Sequence, residues 1–245
     1  EPIGQHNWLI KPVYHAGGMS IRRYITRARE DEYYQQFCTG KVGSALFCAD
    51  GQKVEIVGFH RQWSISQDDF TFAGIVQESL LPESEQQRVL CWLKKLVRYY
   101  HLKGLGSLDF IWDGQQCYFL EINPRPPASI MLYPSLDLFS AHITGKLPLL
   151  DKDNSVMALQ IVYAQQSCDI NLTEQWPEWS FDQPGLGVRV QRGWPICSIV
   201  AKGITVRQAL ESLQDKRIFF LFKVKCNVVA NSINREIGDI ILKRG

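Results

Sequence analysis

The sequence predicts an α+β protein built around antiparallel sheet, and three observations carry that reading. Strand signals crowd the first third of the chain with no helical period between them. A single amphipathic helix follows, and a hairpin with a second, shorter helix comes directly after it. With 245 residues, 45% of them hydrophobic and 21% charged, the chain is long enough to bury roughly 70–75% of its unfolded surface.

The elements follow in order. Trp8 to Ile10, Met19 to Arg22, Tyr33 to Phe37, Gly43 to Ala49, Val54 to Arg61 and Phe70 to Gln77 read as short strands, with Ala49-Asp50-Gly51-Gln52 as a hairpin turn between two of them. From Glu83 to His101, Val89, Leu90, Leu93, Leu96, Val97 and Tyr100 recur at helical spacing, with Pro82 before them and Gly104 placed to stop the helix. A hairpin from Gly106 to Asn123 turns around Asp113-Gly114, and a second helix runs from Ser135 to Thr144, ended by Gly145. Pro148 to Ser155 is the expected linker. Beyond it, Val156 to Tyr163, Gly187 to Gln191 and Ile196 to Lys202 read as strands. Thr205 caps a short helix carrying Val206, Ala209, Leu210 and Leu213. Trp176, Trp179 and Trp194 are expected in the core or at a domain interface.

Composition excludes several functions. Twenty-seven Lys and Arg against 25 Asp and Glu leave a formal charge of +2, which provides no concentrated basic face for nucleic acid. No apolar run approaches the ~20 residues that span a bilayer. The opening residues also lack a signal peptide's basic flank and apolar core, so a cytoplasmic protein without a membrane partner is expected. The seven cysteines lie far apart with no CxxC and read as buried thiols, as in Leu90-Cys91-Trp92 and Ile196-Cys197-Ser198. The five histidines are scattered without HExxH, which argues against a transition-metal hydrolase.

The chemistry concentrates between Gly104 and Ser129. In this hairpin Leu108, Phe110 and Trp112, with Tyr118, Leu120 and Ile122, form an apolar set, and Asp109, Ile111, Cys117, Phe119, Glu121 and Asn123 form the other face. An odd turn, such as a three-residue loop with a bulge, puts Asp109 diagonal to Glu121, about 7–8 Å apart, whereas a two-residue turn separates them. On the odd-turn reading, Asp109, Glu121 and Asn123 form an oxygen-only set suited to Mg²⁺ or Mn²⁺ held with phosphate oxygens. A solvated strand face is the other reading of the same residues. Arg125, stiffened by Pro124 and Pro126, is either an ion-pair partner or a clamp on a transferring phosphoryl group.

A second constellation opens the chain: a strand ending at Lys11-Pro12, then a loop with Gly17 and Gly18 whose backbone N–H groups can turn toward phosphate. It is neither a P-loop nor a dinucleotide fingerprint, since GxxxxGK[ST] is absent and no helix opens after it.

Together, this Lys-Pro strand end with its Gly-Gly loop, the Tyr34-Gln-Gln-Phe-Cys38 segment, and the hairpin reading Asp109…Glu121-x-Asn123-x-Arg125 resemble the ATP-grasp superfamily. EINPRPPAS resembles the signature of its biotin-carboxylase and carbamoyl-phosphate-synthase-like branch, and the chain is similar to predicted ATP-dependent carboligases of that branch over residues 5–145. PGLGVRVQRGWPICSIVAKGITVRQAL resembles the region after the grasp fold in those proteins. The resemblance implies two α+β lobes gripping ATP: residues 1–65 as small lobe, 66–150 as large lobe with the metal site, and 151–245 as a C-terminal β-rich region. It assigns Lys11 to ATP phosphate and to catalysis, and Gly17, Gly18 and Met19 to a flap over the phosphates. It further assigns Gln36, Phe37 and Cys38 to the adenine edge, Asp109, Glu121 and Asn123 to magnesium or manganese, and Arg125 to the transferred phosphoryl group.

Two departures leave nucleotide affinity and base preference open: Gln36 stands where a Glu is common, and no ribose-binding acid occurs near Val42. The family also carries an N-terminal domain and an upstream lysine that this chain starts too late to include, so a fragment or cleaved product is expected.

The implied reaction joins a carboxylate to an amine, or to a thiol, through an acyl phosphate, with ATP converted to ADP and phosphate. The expected partners are small-molecule carboxylate and amine substrates, with homodimerisation open. Bicarbonate activation and a non-catalytic ATP-binding regulatory module are the alternatives. From residue type alone, His60, Arg61 and Gln62 at a strand end, and Ser129 and Tyr133 after the arginine, are candidate substrate contacts, with ordinary polar surface as their bland reading.

Overall fold

A computed structural model describes residues 8–14, 17–23, 27–66, 69–147, 154–170 and 176–223. Strands β1 (Trp8–Pro12), β2 (Arg22–Arg23) and β3 (Glu32–Gln36) form a small sheet in the order β2-β1-β3. The large sheet uses β4 (Lys41–Asp50), β5 (Val54–Ser66), β6 (Asp69–Gln77), β7 (Lys103–Trp112), β8 (Cys117–Asn123), β9 (Val156–Tyr163), β11 (Ser180–Phe181) and β13 (Pro195–Gly203). Its order is β11-β13-β9-β6-β5-β4-β7-β8, and β10 (Cys168–Asp169) pairs separately with β12 (Arg189–Val190). The pairings among these strands are antiparallel, as the strand signals predict. Strands from all three expected regions share this sheet, since β5 pairs β6 and β6 pairs β9. Most of the expected linker, residues 148–153, lies outside the described residues.

Alternation sends every second residue to one of two covers. On one face, α1 (Glu83–Tyr100) lays Val89, Leu93 and Val97 on Ala45, Phe47, Leu108 and Phe110. Further along, α3 (Val206–Lys223) covers Val76, Ala158, Ile199 and Ala201 with Ala209, Leu210 and Leu213. On the other face lie a 3-10 helix, η1 (Ala128–Leu132), and α2 (Leu138–Thr144), with Leu138 and Ala141 against Leu46, Cys48, Val57 and Leu105. Each fully buried Leu or Phe in these layers contributes roughly 1.5–3 kcal/mol of transfer free energy. Glu85, buried in the first turn of α1, accepts from the Cys117 N–H at 2.9 Å and ties that helix to β8.

Several expectations are corrected. Gly17 to Ser20 form a turn and β2 begins only at Arg22, because Ser20 adopts a left-handed φ of 63° that a strand does not admit. His101, not Gly104, stops α1: it is left-handed at φ 51° and its N–H returns to Val97. Asp137 caps α2 by accepting from Ser140 N, so that helix starts at Leu138 rather than Ser135. Cys91 is exposed, since it stands about 200° around the helix from Val89. Trp194 is 60% exposed, whereas Trp176 stacks on Phe220 and Trp179 meets Phe219 edge-on, as a packing role requires. The helix after Thr205 is long, running to Lys223.

Candidate active site

The hairpin solves the face problem in its own way. Trp112 pairs with Cys117 across a four-residue loop, Ile111 with Tyr118 and Phe110 with Phe119, a register that alone sets Asp109 against Leu120. A bulge between Asp109 and Phe110 absorbs Leu120, and Asp109 then faces Glu121 directly, with Leu108 opposite Ile122 and Ser107 opposite Asn123. The two carboxylates are therefore opposed rather than diagonal, on strands whose facing Cβ atoms stand about 4.5–5.5 Å apart. The same bulge reverses the outer half of β8. Cys117 packs with Leu108 and Phe110, and Phe119 meets Trp92 of α1 edge-on at 6.1 Å, so Tyr118 and Leu120 are not the core partners expected. Tyr118 instead bonds Asp113 at the hairpin tip.

Asn123 joins the pair, its Nδ2 donating to Asp109 Oδ2 at 3.3 Å and to Glu121 Oε1 at 3.2 Å. Gln62 Nε2 donates to the other Asp109 oxygen at 3.4 Å. Burial, and next the Glu121 charge, push the Asp109 carboxyl up to about 7, while the Gln62 bond and the charges of Arg125 and Lys11 act against the rise. An amide N–H₂ group, the positive end of a dipole, thus sits between two carboxylates, of which Asp109 has its proton affinity raised by burial and by the neighbouring Glu121 charge. Turning that amide over presents Oδ1 in its place, so the donor set fits a hard divalent cation. Among the described residues no three His, Cys, Asp or Glu side chains cluster for a metal. The fit rests on two acids plus the amide oxygen.

The acids belong to a longer row. Gln77 of β6 faces His60 of β5, His60 faces Ser44 of β4, Ser44 faces Asp109 and Asp109 faces Glu121, so five strands place polar residues at one level of one face. His60 is fully buried, with Nδ1 3.4 Å from Ser44 Oγ and Nε2 2.8 Å from Tyr133 Oη, and burial pushes its pKa down to about 3. Both ring nitrogens are occupied by protein, which corrects the expectation that His60 contacts substrate. Arg61 points to the opposite face and pairs with Glu78 at 2.7 Å. Ser129 is also buried, at 2% exposure, with its hydroxyl free of any described partner. Gln62 alone of the strand-end candidates reaches the carboxylates. Ser44 and Gln77 were not singled out from sequence; their parity with His60 and Asp109 was the available signal, and it needs the register to be read.

Lys11 lies in β1 opposite Tyr33, its Nζ 6.0 Å from that ring's centre. Gly17 and Gly18 are left-handed at φ 69° and 77°, and the loop is seated on β6 through Phe72 N donating to Gly17 O at 2.9 Å. A Cβ on Gly18 would come 1.9 Å from the Phe70 carbonyl oxygen, so only glycine permits this approach. Met19, in the same turn, is 49% exposed. Gln36 ends β3 with its side chain exposed, and Phe37 and Cys38 follow in the segment that connects β3 to β4 of the large sheet. The Phe37 ring is held between the Arg23 guanidinium at 3.9 Å and Phe70 at 6.4 Å. Arg125 is exposed in the proline-rich turn after β8.

An apolar cavity of about 600 Å³, walled by Tyr133, Leu138, Phe139, Met157, Trp179 and Phe181, lies over β9 and β13. Its floor strand β9 lies four strand steps from β7, roughly 19 Å at ordinary strand spacing.

A family model described as an ATP-grasp domain matches residues 3–129. An uncharacterised protein of Methanocaldococcus jannaschii is 23% identical over 207 residues, 79% of this chain and 50% of that protein. Among solved structures, the biotin carboxylase domain dimer of Hydrogenobacter thermophilus 2-oxoglutarate carboxylase, in complex with MgADP, ADP and bicarbonate, gives a TM-score of 0.65 at 13% identity, over 85% of this chain and 56% of that one. L-amino acid ligase from Bacillus licheniformis gives 0.61 at 12%, over 91% and 63%. Both are likenesses of fold. The chain spans about half the length of the curated relative, at 50%. Among the described residues no helix is long and apolar enough to cross a membrane.

Proposed function

This chain belongs to the ATP-grasp domain family, and from that premise we propose that it is the grasp portion of an ATP-dependent ligase joining a carboxylate to an amine, or to a thiol, through an acyl phosphate. The observation that carries the reading is the opposed pair Asp109 and Glu121 with Asn123 between them, in the field of Lys11 and Arg125. Asp109, Glu121 and Asn123 would hold Mg²⁺ or Mn²⁺, which when bound neutralises charge on the nucleotide's phosphate oxygens.

A substrate carboxylate oxygen attacks the γ-phosphorus of ATP, and ADP leaves as the acyl phosphate forms. The amine nitrogen then attacks the acyl carbon, expelling phosphate and losing a proton to water or a nearby base. Lys11 and Arg125 place positive charge beside the phosphoryl oxygens in the transition state, where it counts more than in the ground state. The Gly17-Gly18 turn covers the phosphates and keeps water from the acyl phosphate. Phe37 and Cys38, between the two sheets, present backbone toward the adenine edge.

ADP release from the complete protein, screened across carboxylates with amines and thiols, tests this. Release that needs both substrates is expected. If no pair stimulates ADP release and Glu121→Gln leaves nucleotide binding unchanged, the ligase reading fails. The bicarbonate held by the Hydrogenobacter neighbour favours one second reading, activation of bicarbonate as carboxyphosphate. ADP release with bicarbonate and no amine selects it.

A further inference from the structure

The row that carries Asp109 and Glu121 runs on past the reacting end of the site. Ser44 and His60 are buried at 1% and 0% exposure, beyond the reach of a substrate, yet their polar atoms are engaged in a directed way. His60 bridges Ser44 Oγ and Tyr133 Oη. Beside it, Gln77 donates from Nε2 to Leu132 O at 2.8 Å and accepts at Oε1 from Met157 N at 2.7 Å. Leu132 and Tyr133 are the end of η1, which begins three residues after Arg125. Pro126 and Pro127 lie between and restrict the backbone there. Arg125 therefore hangs between two anchors: Asn123, paired with Ser107 at the end of β8, and the Leu132–Tyr133 end of η1.

We propose that His60 is a positioning residue: with Ser44, Tyr133 and Gln77 it forms a buried hydrogen-bonded strut that fixes the segment carrying Arg125 relative to Asp109 and Glu121. The proposal rests on the role given to Arg125 above. Volume alone does not account for these residues. A neutral imidazole has one donor and one acceptor, and two hydroxyls match them, a pairing that fixes direction as well as distance. Room has also been left for the phenol: a Cβ on Gly58 would lie 1.9 Å from Tyr133 Oη. Packing by itself calls for neither the hydroxyl nor the bare glycine.

Tyr133→Phe removes one oxygen and keeps the ring, so it is the primary test in the full chain. Its kcat for ADP formation should fall roughly tenfold to hundredfold with the KM for ATP little changed, the signature of a misplaced group rather than a lost binding contact. Amide hydrogen exchange across residues 125–133 should quicken while that of α1 stays as in the wild type. In an Arg125→Ala background the same substitution should add no further loss, because the strut acts through that arginine. His60→Gln, which keeps a donor and an acceptor, should retain more activity than His60→Leu. An unchanged kcat, an additive double variant or unaltered exchange across residues 125–133 overturns the strut. Absence of ADP release from the wild-type protein sinks the ligase reading instead, and the exchange measurement then still decides, for or against, whether the strut holds this segment.

Discussion

On the α1 side of β4 and β7, Ala45, Phe47, Leu108 and Phe110 are sealed against Val89, Leu93 and Val97, and nothing polar is asked of them. One residue along the same strands, Ser44 and Asp109 point the other way, each with a named partner that must be present and correctly placed. Alternation thus divides two kinds of work between the faces of one sheet. The apolar face depends on volume and apolarity and tolerates a hydrophobic exchange that preserves both; the polar face depends in addition on particular donor and acceptor atoms.

The contrast can be broken first on its apolar side. Leu93→Ala should destabilise the fold by about 2–5 kcal/mol, read from urea denaturation, while turnover per folded molecule stays at the wild-type value. On the polar side the pattern inverts. Glu121→Gln or Arg125→Ala should lower turnover by roughly 10²–10³ with little change in the denaturation midpoint. For Glu121→Gln a more stable fold is the expected direction, since it relieves the like-charge contact with half-buried Asp109.

Titration sharpens the comparison. Divalent-cation affinity should weaken as pH falls through about 7, because a proton on Asp109 competes for the site, and Glu121→Gln should move that midpoint downward. In the absence of the cation, folded Asp109 keeps its proton up to about 7 while the unfolded chain releases it near 3.8. Stability contributed by this group therefore declines as pH rises across that window, and Asp109→Asn should abolish the decline. His60 runs the other way: it stays neutral in the fold down to about 3 and is protonated near 6.5 when unfolded, so stability is lost as pH falls through that range. Urea titrations across pH 4–8 separate the two slopes.

The smallest effect is expected in the glycine turn. Gly17→Ala has open space around its Cβ and carries only left-handed strain of about 1–2 kcal/mol. Gly18→Ala meets the Phe70 carbonyl as well, and should raise the nucleotide Kd more than its neighbour does. Equal effects would show that the turn is not seated on β6 when nucleotide binds.

Much of this was legible in the sequence where local periodicity rules. Val89, Leu93 and Val97 define α1, and the strands from Gly43 to Gln77 are found where the β-rich runs stand. Asp109, Glu121 and Asn123 were found as a set, but their meeting was tied to an odd turn, and the chain uses an even loop with a bulge at Leu120. A bulge is one unpaired residue with no compositional mark, so alternation assigns Tyr118 and Leu120 to the wrong side. His60 and Ser129 looked like surface because their burial is imposed by η1 and the loop after Arg125 folding back over the sheet, a contact between segments about 70 residues apart in the case of His60 and Tyr133. Residue type proposed the chemistry; only register and cover decided which atoms are free to perform it.

The Leu120 bulge also works as a slip joint. It lets the outer hairpin and the inner end of β8 keep separate phase, so the pairing of residues 110–112 with 117–119 does not dictate which face Glu121 and Asn123 occupy. The exposed tip at residues 113–116 is accordingly the place to attach a reporter to this hairpin, four residues along the chain from Asp109.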